Sequence, residues 1–315
     1  MKRIILMLMV GLYWGSAFSQ IHKDSIAKAY VEAFYEKFTK DRWQDEQLGI
    51  AAINELEMLA QHENVNLRTW AQFEIRGIGR RNESIKVKAK ALEAILKFSF
   101  DPDLAIRGNN ANFYESFPKE AFTPAFITEL KPILHNDSFV NKGHVLLVGF
   151  LELEEEKDWL ENHILSGRAK LLYEDPRFEL GTVRFAAHMA LARLGEKDNI
   201  DYVIRTIMDA PVEDILRKRL KYLSYIKQPE AIEIFFDFLF TDKILPDVSG
   251  WKRTYANYVI PYIYDSVKDF PVDDPGLFGH SEEQIKQARD WATAHRNDYE
   301  IRRDVWLEPN KIYHH

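Results

Sequence analysis

The chain has 315 residues, 46% of them apolar and 29% charged, with a formal net charge of −7 at pH 7. This composition excludes a largely disordered chain, and the acidic balance without a Lys/Arg-rich run argues against nucleic acid as a ligand. The absence of cysteine excludes structural disulfides, a thiol nucleophile and thiolate zinc sites. The length exceeds one ordinary compact core, so we expect two domains or an array that grows by repetition.

Residues 1–19 have the pattern of a signal peptide. Lys2 and Arg3 precede an apolar stretch over residues 4–14, and Ala17 and Ser19 suit a small-residue cleavage site before Gln20. A membrane anchor is the alternative, but a span needs roughly 20 apolar residues and this stretch is shorter. The sequence therefore predicts export to the periplasm of a Gram-negative bacterium, or secretion, with no membrane span after cleavage.

Apolar residues recur at helical spacing in almost every segment between the turn residues. The first amphipathic helix follows Asp24, which is a candidate N-cap. The pattern predicts further helices near residues 48–59, 66–78, 84–98, 120–133, 138–152, 156–165, 180–194, 198–208, 212–225, 229–240, 251–264 and 281–296. Short paired helices are therefore the recurring unit.

Two stretches of the chain match each other. Residues 67–79 align without a gap with residues 183–195, sharing Arg at the second position, Ala at the fifth and Gly at the last. The small Ala allows a neighbouring helix to approach, and the final Gly suits a left-handed helix C-cap. Trp70 lies in the apolar stripe of the first stretch, so we expect it in the core.

The second stretch continues through a short polar turn into another apolar helix, and residues 182–240 as a whole resemble HEAT repeats. The resemblance implies an all-α fold, an α-solenoid of HEAT-like antiparallel helix pairs. We expect this domain over residues 20–297, with an irregular insertion at 241–280 and a C-terminal tail at 298–315. A HEAT-like fold implies an interaction scaffold and carries no catalytic residue.

The insertion combines aromatic rings with cations, as protein interfaces and sugar-stacking sites do. We predict partner-binding residues at Trp251, Arg253, Tyr255 and Phe278. Helix core packing is the alternative for Tyr255. The partner expected from this surface is a protein, and a glycan is the second possibility.

Signatures of catalysis, cofactor binding and metal binding are missing, so the sequence predicts no catalytic residue, no cofactor and no metal site. His144 and His188 are expected to be hydrogen-bonded core or groove residues, with a catalytic role as the alternative. The acidic run at residues 152–158 suits a solvated helix start better than paired catalytic carboxylates. Asp269 and Asp273 suit a turn better than a calcium site.

The sequence as a whole predicts a non-enzymatic exported scaffold or regulator that holds a protein on the concave face of a repeat array. The alternative is an α/α-helical carbohydrate-active enzyme or a glycan-binding protein of the cell envelope. An enzyme of that kind needs carboxylates that converge on an aromatic cleft.

Overall fold

A computed structural model describes residues 24–39, 43–171, 179–246, 252–273 and 279–306. These residues form an all-helical fold with almost no strand, which confirms the predicted all-α class. The predicted signal segment, together with Trp251 and Phe278, lies outside the described residues. Among the helices described, none is long and apolar enough to cross a membrane. The chain divides into two compact units, Met1–Val140 and Asn141–His315.

Helices α1 to α6 belong to the first unit. They are α1 (Ser25–Lys37), α2 (Glu46–Leu59), α3 (Val65–Arg81), α4 (Ile85–Lys97), α5 (Leu104–Asn109) and α6 (Pro124–Leu134). Helices α2, α3 and α4 pack on one another, and α6 packs on α4. Asp24 caps α1 as predicted, because its Oδ1 accepts hydrogen bonds of 3.1 Å from the backbone amides of Ile26 and Ala27.

The second unit contains the remaining helices and one hairpin. They are α7 (Lys142–Leu151), α8 (Lys157–Trp159, continued by a π-helix Leu160–Leu165), α9 (Val183–Arg193), α10 (Lys197–Met208), α11 (Val212–Asp214, a π-helical Ile215–Arg219 and Leu220–Ile226), α12 (Pro229–Leu239), β1 (Ile244–Pro246), β2 (Lys252–Thr254), α13 (Tyr255–Ser266) and α14 (Glu282–His295). Helix α9 contacts α7, α10 and α11, and α13 contacts α11 and α12. The core of this unit lies between these helices.

Two features differ from the predicted elements. Helix α5 was not predicted, since six residues are too few for a periodic pattern; Asp103 caps it by accepting from the amides of Ala105 and Ile106. The helix predicted at 251–264 begins only at Tyr255. The preceding residues form β2, which pairs antiparallel with β1, and the amide of Tyr255 donates to the carbonyl of Lys243 at 3.0 Å.

The two glycines of the self-matching stretches have different tasks. Gly195 follows α9 with φ of +95°, the left-handed cap that the sequence predicts. The same prediction for Gly79 is wrong, because α3 continues to Arg81. A Cβ at Gly79 would collide with the Cβ of Ala91 and would lie 2.7 Å from Phe117 Cε1. Gly79 therefore serves the close approach of α4 to α3.

Buried polar contacts in both units join residues about one helix pair apart. In the first unit the guanidinium of Arg68 binds Asp101, 33 residues later. In the second, Arg193 donates to the carbonyl of Tyr225, 32 residues later, and Lys227 to that of Asp265, 38 residues later. These separations fall within the periods of helical repeats, roughly 20 to 50 residues.

An extended segment near the C-terminus crosses the ends of several helices of the second unit. Val267 and Ile301 form an isolated antiparallel bridge, and the amide of Arg302 donates to the carbonyl of Ser266 at 2.9 Å. Trp306 is 4% exposed and packs on Phe150, with ring centroids 4.8 Å apart. Trp306 therefore belongs to the core of this unit, and the backbone of the segment before it is tied to the end of α13.

Candidate functional site

The first unit contains an open cleft with a volume of about 840 Å³. Its walls are the last turn of α2, the connection at residues 60–63, the start of α3 and residues 97–102 after α4. Ligand pockets in proteins commonly have volumes of about 300–1,000 Å³. The cleft therefore has the size of a binding site for a small molecule or for a few residues of a peptide.

A buried ion pair between Arg68 and Asp101 lies in the cleft wall. Arg68 Nε donates to Asp101 Oδ2 at 2.8 Å, and Nη2 donates to Oδ1 at 3.2 Å. Arg68 Nη1 donates to the carbonyls of His62 and Glu63, each at 3.0 Å. The charges of this pair are neutralised within the protein, and the guanidinium also fixes the connection between α2 and α3.

A second charge network involves Glu57. Lys90 Nζ lies 2.6 Å from Glu57 Oε2, and Lys97 Nζ lies 2.8 Å from Oε1. Partial burial raises the pKa of Glu57, but the hydrogen bonds from both lysines outweigh it and hold that pKa below its usual value. Glu57 is therefore ionised at neutral pH and serves to fix the two lysines.

Two apolar side chains of the cleft are open to solvent. Met58 is 65% exposed at the end of α2, and Phe100 is 51% exposed after α4. The ring of Phe100 packs edge-on against Phe139, with centroids 5.0 Å apart, which fixes its orientation. Exposed apolar side chains that line a concave surface are typical of sites that bind a partner.

The cleft also carries polar side chains that are available to a ligand. Among the described residues, the side chains of Asn54, Gln61 and Glu63 have no hydrogen-bond or ion-pair partner. The amides can donate and accept, whereas the Glu63 carboxylate only accepts. The cleft thus combines apolar contact area and hydrogen-bonding groups, and its charges balance, because Glu57 is shared by two lysines while Glu63 has no cation partner.

The predicted partner-binding residues that can be placed lie in the second unit. Arg253 lies in β2 opposite Leu245 and is half-buried. Tyr255 begins α13, is 8% exposed and packs edge-on against Phe238, with ring centroids 6.0 Å apart. Trp251 and Phe278 are outside the described residues, so the structure does not place the predicted set in one surface.

The histidines singled out by the sequence have structural partners. His144 is buried and completes the capping box of α7, its Nδ1 accepting from the amide of Asn141 at 3.3 Å. His188 Nδ1 lies 2.7 Å from Asn199 Oδ1, and its ring lies 4.0 Å from that of Tyr202. Both residues fit the predicted core or groove role. Trp70 is 2% exposed, as predicted for a core residue.

The acidic residues identified in the sequence lie in local ion pairs and turns. Glu154 and Glu196 both bind Lys157, with Nζ to Oε distances of 2.6 and 2.7 Å. Asp269 has φ of +57° in the turn after α13. Within the described ranges, no group of three or more His, Asp or Glu residues has an arrangement that would hold a metal ion.

Sequence reasoning did not find the cleft. Its residues come from three separate segments, so no local pattern of the sequence brings Met58 and Phe100 to one cleft. The one signal available was Phe100, which stands next to Asp101 and Pro102 at the end of a helix. Comparison with protein-family models, curated proteins and solved structures gives no match.

Proposed function

We propose that this chain is an exported, non-enzymatic scaffold of the HEAT-like helical-repeat type that binds a protein partner. The buried contacts at separations of 32 to 38 residues support a repeat architecture, because each links one helix pair to the next. Export is supported by the basic and apolar pattern of residues 1–19.

The observation that carries the binding role is the cleft of the first unit. The Arg68–Asp101 pair is satisfied internally, so its charges serve structure, while Met58 and Phe100 stay exposed. An exposed apolar rim costs solubility unless a partner covers it. This arrangement favours binding over chemistry.

Affinity capture tests the binding role. The tagged full chain, produced with its own N-terminal segment in its source cells, is captured from the envelope fraction and analysed by mass spectrometry. We expect one specific, stoichiometric protein, and a bait that begins at Gln20. A clean blank, together with retention on insoluble polysaccharide, would replace the scaffold by a glycan-binding function. If the captured chain still carries residues 1–19, the export proposal is contradicted but the binding proposal is not.

A further inference from the structure

We propose that the C-terminal segment, residues 300–306, detaches reversibly from the second unit, and that protonation of the buried amino group of Lys227 favours the detached state. The contacts that carry the proposal are those that hold the segment and those that surround Lys227. The proposal is independent of the binding role and concerns a conformational change within the second unit.

The C-terminal segment is held by main-chain hydrogen bonds and one buried side chain. The amide of Lys268 donates to the carbonyl of Glu300 at 2.8 Å, and the amide of Arg302 donates to that of Ser266 at 2.9 Å. Trp306 is buried, whereas residues 300–305 are half-buried or exposed. Regions with few buried apolar contacts open at a lower free energy than the core of a domain. The segment can therefore detach while the helices of this unit stay folded.

Lys227 lies directly after α11, next to the site where the segment is attached. It is 1% exposed, and its Nζ donates to the carbonyl of Asp265 at 2.7 Å and to Ser266 Oγ at 3.1 Å. The carbonyl of the same Ser266 accepts the hydrogen bond from the amide of Arg302. Ser266 thus connects the buried amine with the segment, so detachment brings water to this end of α13 and to Lys227.

The amino group of Lys227 is buried without a counter-ion. Both of its hydrogen-bond acceptors are neutral, and it forms no ion pair with any of the residues that the structure describes. The charges that act on it most are Arg193 on α9, Asp265 on α13, and Arg302 and Asp304 in the segment, two of each sign. Burial, and after it the charge of Arg193, lowers the pKa of Lys227 well below 10.5.

Detachment of the segment is therefore linked to proton uptake. Once water reaches Lys227, its pKa returns toward the ordinary value of 10.5. At a pH between the lowered and the ordinary pKa, the amine is neutral in the attached state and protonated in the detached state. Each unit of decrease in pH then raises the equilibrium constant for detachment by up to about tenfold. The segment is held more firmly as the pH rises and detaches more often as the pH falls.

Thiol labelling of the full chain tests the proposal, because the chain has no cysteine of its own. Val267 is 1% exposed and pairs with Ile301 of the segment, so Val267→Cys becomes reactive when the segment detaches. Val203→Cys is the matched control, since Val203 is fully buried within α10 and becomes reactive only when that helix unfolds. An unstructured cysteine peptide labelled at each pH gives the reference rate, which removes the titration of the thiol itself.

The labelling rates are compared at pH 7, 8 and 9, a range in which Arg193, with its pKa lowered by burial to about 10, stays protonated. Relative to the reference, Val267→Cys should label faster than Val203→Cys at each pH. Its relative rate should increase by up to about tenfold for each unit by which the pH falls. Trp306→Leu weakens the attachment without contacting Lys227, so it should raise the relative rate at each pH and preserve the increase.

Variants of Lys227 identify the group that takes up the proton. Lys227→Met in the Val267→Cys chain should remove the increase at low pH, because no amine is left to titrate. Lys227→Arg should remove it as well, since a guanidinium stays protonated in both states, and this variant decides the question if the Met variant does not fold.

Three results would overturn the proposal. The first is a relative rate of Val267→Cys that does not change with pH. The second is an increase that persists in the Lys227 variants, because another group would then take up the proton. The third is equal labelling of Val267→Cys and Val203→Cys, because the segment would then detach only when the unit unfolds. Each of these results leaves the proposed binding function standing, since affinity capture tests that function separately.

Discussion

The guanidinium of Arg193 donates a 2.7 Å hydrogen bond to the carbonyl oxygen of Tyr225, one residue before the end of helix α11. Its other amino group donates to the carbonyl of Arg303 at 2.6 Å and to that of Val305 at 3.2 Å. Burial lowers the pKa of Arg193 to about 10, so the side chain stays charged at neutral pH. A buried cation therefore joins a helix end to the C-terminal segment through backbone carbonyls.

Replacing Arg193 with Met should destabilise the second unit by about 3 kcal/mol, because the carbonyls of Tyr225, Arg303 and Val305 lose a buried donor. Urea unfolding followed by circular dichroism measures the loss, and hydrogen exchange should show reduced protection near the end of α11. Arg184→Met on the exposed side of the same helix is the control, expected to cost less than about 0.5 kcal/mol. Equal effects of the two variants would contradict the role of Arg193.

The buried Lys227 should make the stability of the second unit depend on pH. It is 1% exposed and donates to the carbonyl of Asp265 at 2.7 Å, and burial together with nearby Arg193 lowers its pKa well below the usual value of 10.5. The unfolded chain then binds this proton more tightly than the folded chain. Lys227 therefore makes the free energy of unfolding increase as the pH rises toward about 10.5. Lowering the pH over the same range decreases it.

The measurement compares the wild type with Lys227→Met by urea unfolding at several pH values from 7 to 10. The difference in free energy of unfolding should shift in favour of the wild type as the pH rises. Taking the difference removes the contributions of the other titratable groups, which both proteins share. A difference that is independent of pH would show that the pKa of Lys227 is not lowered.

Gly77 and Gly79 on α3 form a matched pair. Gly79→Ala should cost about 1–3 kcal/mol, because its Cβ meets Ala91 and Phe117 and the helices must separate. A Cβ at Gly77 has no neighbour within 4 Å, so Gly77→Ala should stabilise the helix by up to about 1 kcal/mol. Thermal unfolding should show a lower melting temperature for Gly79→Ala and an equal or higher one for Gly77→Ala. A loss of stability of the same size in both would contradict the assignment of the Gly79→Ala effect to close packing.

Substitutions of Arg68 and Asp101 should have non-additive effects on the free energy of unfolding. Asp101→Asn should cost about 3 kcal/mol, because it leaves the buried guanidinium without its counter-charge. Adding Arg68→Met in the same chain should recover part of that loss, since no buried charge then remains. A double-mutant cycle from urea unfolding gives the coupling energy, and a coupling near zero would show that solvent already screens the pair.

Most of the helices could be predicted from the sequence, because each carries its own apolar period and its own cap. Asp24 is an example, since its position before the apolar run was enough to identify the start of α1. Helix α5 and the hairpin were missed because local patterns of six residues or fewer carry little information. The hairpin depends on the pairing of Ile244 with Thr254, which no local pattern reveals.

The cleft and the buried cations could not be predicted, because they depend on which segments meet. Nothing near Arg193 in the sequence indicates that its donors reach Val305 more than a hundred residues later. The role of Gly79 could not be predicted for the same reason. Its position at the end of a repeated pattern suggested a helix cap, whereas its role follows from the closeness of Ala91 on the next helix.

The contact between Arg193 and Val305 has a consequence for the order of folding. The chain is synthesised from its N-terminus to its C-terminus. All residues of helices α7 to α13 are therefore present before residues 303–305 have been added. Until then the buried guanidinium lacks two of its three backbone acceptors, and Trp306 is not yet available to pack on Phe150. The second unit therefore reaches its final packing only after translation of this last segment.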